Sequence, residues 1–367
     1  MSNSLANLLN TLNTITIWTS RIIPIFHLIF GTFGNVFNII IFTRPALRTN
    51  PCSMYFLAGS INNIIFIYSG IFVRYMIDAW NLDITLTSVV ICKFRQYISA
   101  CSFALYSWFI VLASIDRFLS SSKSAQLRQL SSLSIARKVI LLTIIIMLLF
   151  YSLVLFFFAI DLNYSKIACY IPSIQYNAIY FSIEPLISVV IPVLLQTIFG
   201  ILLIVNVRSM HNRVVPIGDN ARNERQRSND RQLIKMHLLQ VLMANLLLAP
   251  YVAITSYNSI AITILKQPLS IHDQTIVLFT LTLARYFAST NPVISFYLYT
   301  LSGPKFRNEF KRCSRHGFQV ILRKSDFMRC LPMRIQQVVR NENQTNTNTQ
   351  FTERTERRNN VHPVQRY

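Results

Sequence analysis

Charge is scarce in this chain of 367 residues. Asp, Glu, Lys and Arg together make up 13% of it, against roughly 25% in soluble proteins. With 52% hydrophobic residues and a mean hydropathy of +0.41, the composition excludes the two or three soluble domains that the length would otherwise suggest. Catalytic motifs are missing too. There is no His-Glu-x-x-His, no P-loop, no Gly-x-Ser-x-Gly and no Cys-x-x-Cys, so neither an enzyme nor a cofactor is expected. The six histidines (His27, His211, His237, His272, His316 and His362) are scattered, and no metal site is expected. A cleavable signal peptide is not expected, because the first twenty residues are polar and the apolar run after Arg21 is too long for one. Acidic residues number only 14 against 35 basic ones, a net charge of +21. That excess lies beside apolar runs rather than in a soluble basic domain, which argues against nucleic acid as a partner.

What the chain does have is long uncharged runs. Ile22 to Thr43 is closed by Arg44 and Arg48, and Thr49 to Val73 is followed by Arg74 and Asp78. Twenty uncharged residues separate Arg95 from Asp116, and Val139 to Ile160 adds another 22. Pro185 to Val207 contains Pro192, and Leu238 to Leu265 contains Pro250. Ile271 to Thr300 carries Arg285 and Asn291-Pro292. About 20 residues of helix cross a bilayer core, and a proline within a helix bends it by removing a backbone hydrogen bond. The expected fold is an all-α membrane protein, a seven-helix bundle over residues 22–302. Residues 303–316 are expected to form a short amphipathic eighth helix on the lipid bilayer, with Phe306 and Phe310 on one face. Residues 1–21 form an amino-terminal segment, and 317–367 a tail whose Asn/Thr/Gln/Arg-rich end predicts disorder. Of 35 Lys and Arg, 28 fall in or beside alternate connectors and the tail. The positive-inside rule then puts the amino terminus outside and the tail in the cytoplasm.

The stretch from Cys92 to Asp116-Arg117-Phe118, with 25 positions between Cys92 and Arg117, resembles the third helix of rhodopsin-like G-protein-coupled receptors. Gly34-Asn35, Pro192, Pro250 and Asn291-Pro292 extend the resemblance, which covers about residues 22–315. It implies a plasma-membrane receptor that binds an extracellular ligand and activates a heterotrimeric G protein. It also implies that Cys92 bonds to the second outer loop. Cys92 and Cys169 are the two cysteines that the topology puts at the oxidising outer face, the alternative being two free thiols. Arg117 would pair with Asp116 at rest and meet the G protein when released. The switch is altered, however. Asn63 stands where the family has an aspartate, which argues against a sodium ion. Leu247-Leu248-Ala249-Pro250 replaces Cys-Trp-x-Pro, Ser295 replaces the tyrosine of Asn-Pro-x-x-Tyr, and Gly200 replaces a tyrosine after Pro192.

Polar residues in the outer halves of the spans are the candidate ligand contacts: Arg74 and Asp78, Gln96 and Ser99, Glu184, then Tyr251, Thr255, Asn258 and Arg285. An ionisable group in a membrane span is a functional candidate by default, although Glu184 and Arg285 could instead pair across the bundle. Ser99 stands where aminergic receptors carry an aspartate, and Arg285 where opsins carry a lysine. A peptide, such as an amidated neuropeptide, is the residual ligand class. Asn163-Tyr164-Ser165 is a glycosylation sequon, and Cys313 a candidate palmitoylation site. Two rival readings are a seven-span transporter or channel, and a receptor-shaped protein that no longer signals.

Overall fold

The computed structural model describes residues 2–45, 47–161, 168–211, 221–258, 260 and 270–324. The first helix, α1 (Ser2–Phe42), begins well before the apolar run at Ile22. Thr11, Thr14 and Thr19 each donate a hydroxyl to the carbonyl four residues back at 2.8 Å, which absorbs their polarity within the helix. Residues 7–21 thus continue the helix that carries the first apolar run.

The second span is α2 (Pro51–Phe66), a π-helical segment at Ile67–Phe72, and α3 (Val73–Trp80). Asn50 caps α2 by accepting from the amide of Cys52 at 3.0 Å, and Pro51 occupies the first helical position, where its missing N–H costs nothing. Asn81, at φ 54, ends α3 in the left-handed conformation that asparagine tolerates. The third span, α4 (Val89–Ser120), is capped by Ser88. After the short α5 (Ala125–Leu130), the fourth is α6 (Leu133–Tyr151), continued by the single turn α7 (Val154–Phe157). Next come two short strands, β1 (Ala159–Asp161) and β2 (Ala168–Tyr170), antiparallel with Ile160 opposite Cys169. Hydropathy alone does not reveal this hairpin. The sequon at Asn163 lies outside the described residues.

The fifth span is α8 (Ile174–Pro185), a π-helical segment at Leu186–Val190, and α9 (Ile191–His211). Pro192 thus follows a widened turn. A π turn takes in an extra residue, so the irregularity expected at Pro192 starts one turn earlier. α10 (Ala221–Tyr257) holds Pro250, and α11 (Ile271–Ser302) holds Pro292. The expected continuation of the sixth span toward Leu265 runs into residues outside the description.

Six of the spans are long and apolar enough to cross a membrane by length and composition: Asn7–Phe42, Pro51–Trp80, Val89–Ser120, Leu133–Phe157, Ser182–Ser209 and Gln232–Tyr257. The seventh helix, α11, has the length, at 32 residues, but is less apolar because it faces the interior with Ser289, Asn291 and Ser295, all buried. α4 is central: 61% of its most apolar window is buried, against 17% in Leu133–Phe157. The outward faces are hydrocarbon, with Leu149 68% and Phe156 77% exposed, a surface suited to lipid rather than water. α11 packs against α1 and α10, and α4 against α2 and α9. At Gly34 a Cβ would stand 2.9 Å from Cβ of Phe296, so α1 and α11 approach backbone to backbone there.

The chain divides into two units, Met1–Arg307 and Asn308–Tyr367. Of the second, residues 308–324 are described, as the later turns of α12 (Pro304–Lys324), which extends past the expected end at 316. Cys313 is a partly exposed free thiol on it. Cys330 and the tail lie outside the described residues.

Candidate functional site

One end of the bundle is fixed by a disulfide. Cys92, in the first turn of α4, is bonded to Cys169 of β2 with Cα atoms 5.8 Å apart, so the hairpin is tied to the central helix. Beneath it lies a cavity of about 490 Å³, within the size range of sites for small organic ligands. Its polar walls come from five elements: Arg74 of α3, Arg95, Gln96 and Ser99 of α4, Glu184 of α8, Tyr251 of α10 and Arg285 of α11. Aromatic rings form the depth of it. Phe103 and Tyr251 meet edge to face at 5.8 Å, and Phe66 lies 5.6 Å from Phe103. Gly70 allows this floor to close, since a Cβ there would stand 2.9 Å from the Phe66 ring and 3.0 Å from Oγ of Ser99.

Three sequence candidates lie elsewhere. Asp78 is outside the wall and pairs with Arg74, accepting from its Nε at 2.8 Å. Thr255 turns its hydroxyl back to the carbonyl of Tyr251 at 2.6 Å. Asn258 lies beyond the last turn of α10 and does not line the cavity. Among the described residues no ion pair joins Glu184 to Arg285, so the cross-bundle pairing left open by the sequence is not made. Glu184 instead sits in the field of Tyr151, Tyr180 and Tyr251, beside Ser188. Arg95 was missed by sequence reasoning, which treated it only as the end of a span. It precedes Ser99 by four residues, so helical spacing puts the two on one face of α4. Its Nη1 donates to Oε1 of Gln96 at 3.0 Å, and its buried Nε has no partner.

Through the middle of the bundle runs a chain of amides. Asn35 donates to the carbonyls of Gly31 at 2.8 Å and Pro292 at 2.9 Å. Asn63 donates to Oδ1 of Asn35 at 3.0 Å and to the Pro292 carbonyl at 3.4 Å. Asn291 donates to the carbonyl of Ala244 at 3.3 Å. Asn63 therefore serves as a neutral link between α1, α2 and α11. Gln196, Asn245 and Thr197 tie α9 to α10 through bonds of 2.6 and 2.8 Å. Below Pro250, Leu248 fills the place of the family's tryptophan, 1% exposed and packed with Val189 and Ala288.

At the other end of α4, Arg117 is 2% exposed and Asp116 4%. Arg117 donates from Nε at 3.1 Å and from Nη2 at 2.5 Å to Oδ2 of Asp116. Its Nη2 also reaches Oδ1 of Asn50 at 3.1 Å, and Ser131 donates to the other oxygen of Asp116 at 2.7 Å. The guanidinium is thus held against its own helix by a carboxylate that is itself anchored to the connector after α5. Phe118 packs on Phe199 of α9, ring centres 5.6 Å apart. His237 of α10, fully buried, shares a 2.8 Å hydrogen bond with Ser114 one turn above Arg117.

Tyr297, two residues late for the family phrase, reaches out to the carbonyl of Phe30 at 3.2 Å. The interior aromatic is Tyr299, which donates to Gln240 at 2.6 Å and packs on Phe42, Phe56 and Phe306. Sequence reasoning missed it. The available signal was spacing, because Tyr299 follows the buried Ser295 by four residues.

A helical membrane bundle with a disulfide-capped cavity at one end and a buried Asp-Arg latch at the other has the architecture of a membrane receptor. Residues 34–295 match the family "7 transmembrane receptor (rhodopsin family)", and the chain belongs to it. No match was found among the curated proteins.

Proposed function

We propose that this receptor takes an extracellular ligand, a peptide or a molecule of comparable chemistry, into the cavity beneath the Cys92–Cys169 bond and answers by activating a heterotrimeric G protein. In this reading the amino terminus is extracellular and the Arg117 end faces the cytoplasm, which the distribution of basic residues supports. The observation that carries it is the single helix α4, which supplies Arg95, Gln96 and Ser99 to the cavity at one end and the Asp116–Arg117 latch at the other. A ligand that binds one arrangement of the bundle better than another shifts the population toward it. Outward movement of the fifth and sixth spans would break the Ser114–His237 link, and Arg117, freed from Asp116, would meet the inserted partner.

The test is ligand-driven G-protein dissociation in cells, comparing the native chain with Arg117→Ala at matched surface expression across amidated peptides, free-acid peptides, lipids and metabolites. Arg117→Ala should abolish the response. A response that persists unchanged removes Arg117 from coupling. Altered residues at the switch (Asn63, Leu248, Ser295) and at Gly200 favour one alternative, a receptor-shaped protein that binds without signalling. Binding to the native chain with no dissociation would establish it.

A further inference from the structure

The cavity holds four charged residues, and they are unevenly partnered. Arg74 has Asp78 at 2.8 Å. Arg95 and Arg285 have no ion pair among the described residues, and neither does Glu184. The three guanidiniums are close enough to act on one another: Arg95 feels both Arg74 and Arg285, and Arg285 feels Arg74. Glu184 lies among tyrosines, in the field of Tyr151, Tyr180 and Tyr251. From outside the cavity wall Asp78 acts on both Arg95 and Arg285, and Asp83 on Arg95, while the wall's own carboxylate, Glu184, forms no ion pair with either arginine among the described residues.

Bringing guanidiniums together in a site partly shielded from water is unfavourable unless an anion joins them. The orphaned Nε of Arg95 is a donor aimed at nothing in the protein. Arginine forks match a carboxylate in geometry and hold it by paired, charge-assisted bonds. Beside them, Phe103 and Tyr251 offer an aromatic slot.

We infer that the ligand of this receptor is an organic anion whose carboxylate is held between Arg95 and Arg285, with an apolar or aromatic body resting on Phe103 and Tyr251. The inference rests on the ligand-binding reading of the cavity and narrows it: a free carboxylate rather than an amidated terminus. A peptide ending in a free carboxylate and a small carboxylic acid share this chemistry. Glu184, which lines the same cavity, is left to accept an N–H from the same ligand.

The test uses the purified full chain in lipid nanodiscs and reads thermal stabilisation, which needs no G protein. Probes are two matched sets: N-acetyl dipeptides ending in Phe or Leu as free acids and as amides, and phenylalkyl carboxylic acids with their primary amides. The acids should stabilise the receptor and the amides should not. Preference for the dipeptide acids would identify a peptide terminus as the source, and preference for the phenylalkyl acids a small metabolite. Arg95→Gln and Arg285→Gln should each weaken acid binding about 10- to 100-fold, the loss of a hydrogen bond to a charged group. Arg95→Lys should recover part of it. Without ligand, Arg95→Gln should raise the unfolding temperature or leave it unchanged, because a repulsion is removed; a marked fall would mean that Arg95 is structural. Equal stabilisation by acids and amides, or none by the acids, overturns the inference. Acid binding without G-protein dissociation in cells leaves the inference standing and overturns the signalling reading, whereas dissociation driven only by neutral or cationic ligands does the reverse.

Discussion

Asn50 shows how one side chain can serve two purposes. Its Oδ1 caps α2 and also accepts from Arg117, so the latch is built into a helix terminus. Asp116 is the stronger partner, with two bonds to Arg117 and one from Ser131. Asp116→Asn keeps the shape and removes the charge that holds the guanidinium. The proposed coupling then predicts a several-fold rise in ligand-independent nucleotide exchange on the G protein, read in membranes and normalised to surface receptor. Unchanged basal exchange would show that Asp116 is not the latch. The pair could be read from the sequence because its residues are adjacent. Asn50 could not, since it lies 67 positions away, and only folding brings it to the guanidinium.

Among the elements, the contact between α1 and α11 has the least slack. Gly34 allows Phe296 to sit against the α1 backbone, and Asn35 beside it then reaches the Pro292 carbonyl. Gly34→Val would force the helices apart and weaken that bond. A cost of about 1–3 kcal/mol, typical of overpacking, should appear as a lower unfolding temperature in nanodiscs. Gly59→Ala is the control, because its nearest neighbour would be Cβ of Phe109 at 4.0 Å, and it should be tolerated. Equal behaviour of the two variants would mean that the close approach at Gly34 is unimportant. The Gly-Asn pair was legible as a motif, but its partner Phe296 was not. Contact across a bundle depends on how each helix is rotated about its axis, and apolar composition leaves that rotation unspecified in lipid.

For the molecule as a whole, the Cys92–Cys169 bond closes a covalent loop spanning 77 positions in sequence. It holds the β1–β2 hairpin beside the cavity, which Cys169, Tyr170 and Ile171 help to line. Cys169→Ser should cost about 2–5 kcal/mol of stability and should weaken ligand binding more than it weakens expression. Thermal unfolding with and without reductant checks the first point: the native chain should lose stability on reduction, and the variant should be insensitive to it. A native chain equally indifferent to reductant would show that the bond contributes nothing.

The number and order of the spans, and the alternation of basic flanks between them, were determined by the sequence alone. Transfer into hydrocarbon is a sum over neighbouring residues, and a run such as Val139 to Ile160 carries that information within itself. The seventh helix was legible despite Arg285, because Asn291-Pro292 marks it. Which polar residues meet was decided only by the tertiary structure. Arg95 and Glu184 join Arg285 in the cavity wall, Asp78 is taken by Arg74, and Tyr299 rather than Tyr297 faces Gln240. The physical reason is rotational phase. Each residue advances about 100° around a helix, and the π segments at Ile67–Phe72 and Leu186–Val190 each insert a residue that turns everything beyond them. Composition fixes that a helix crosses the membrane; only packing against its neighbours fixes which way each side chain looks.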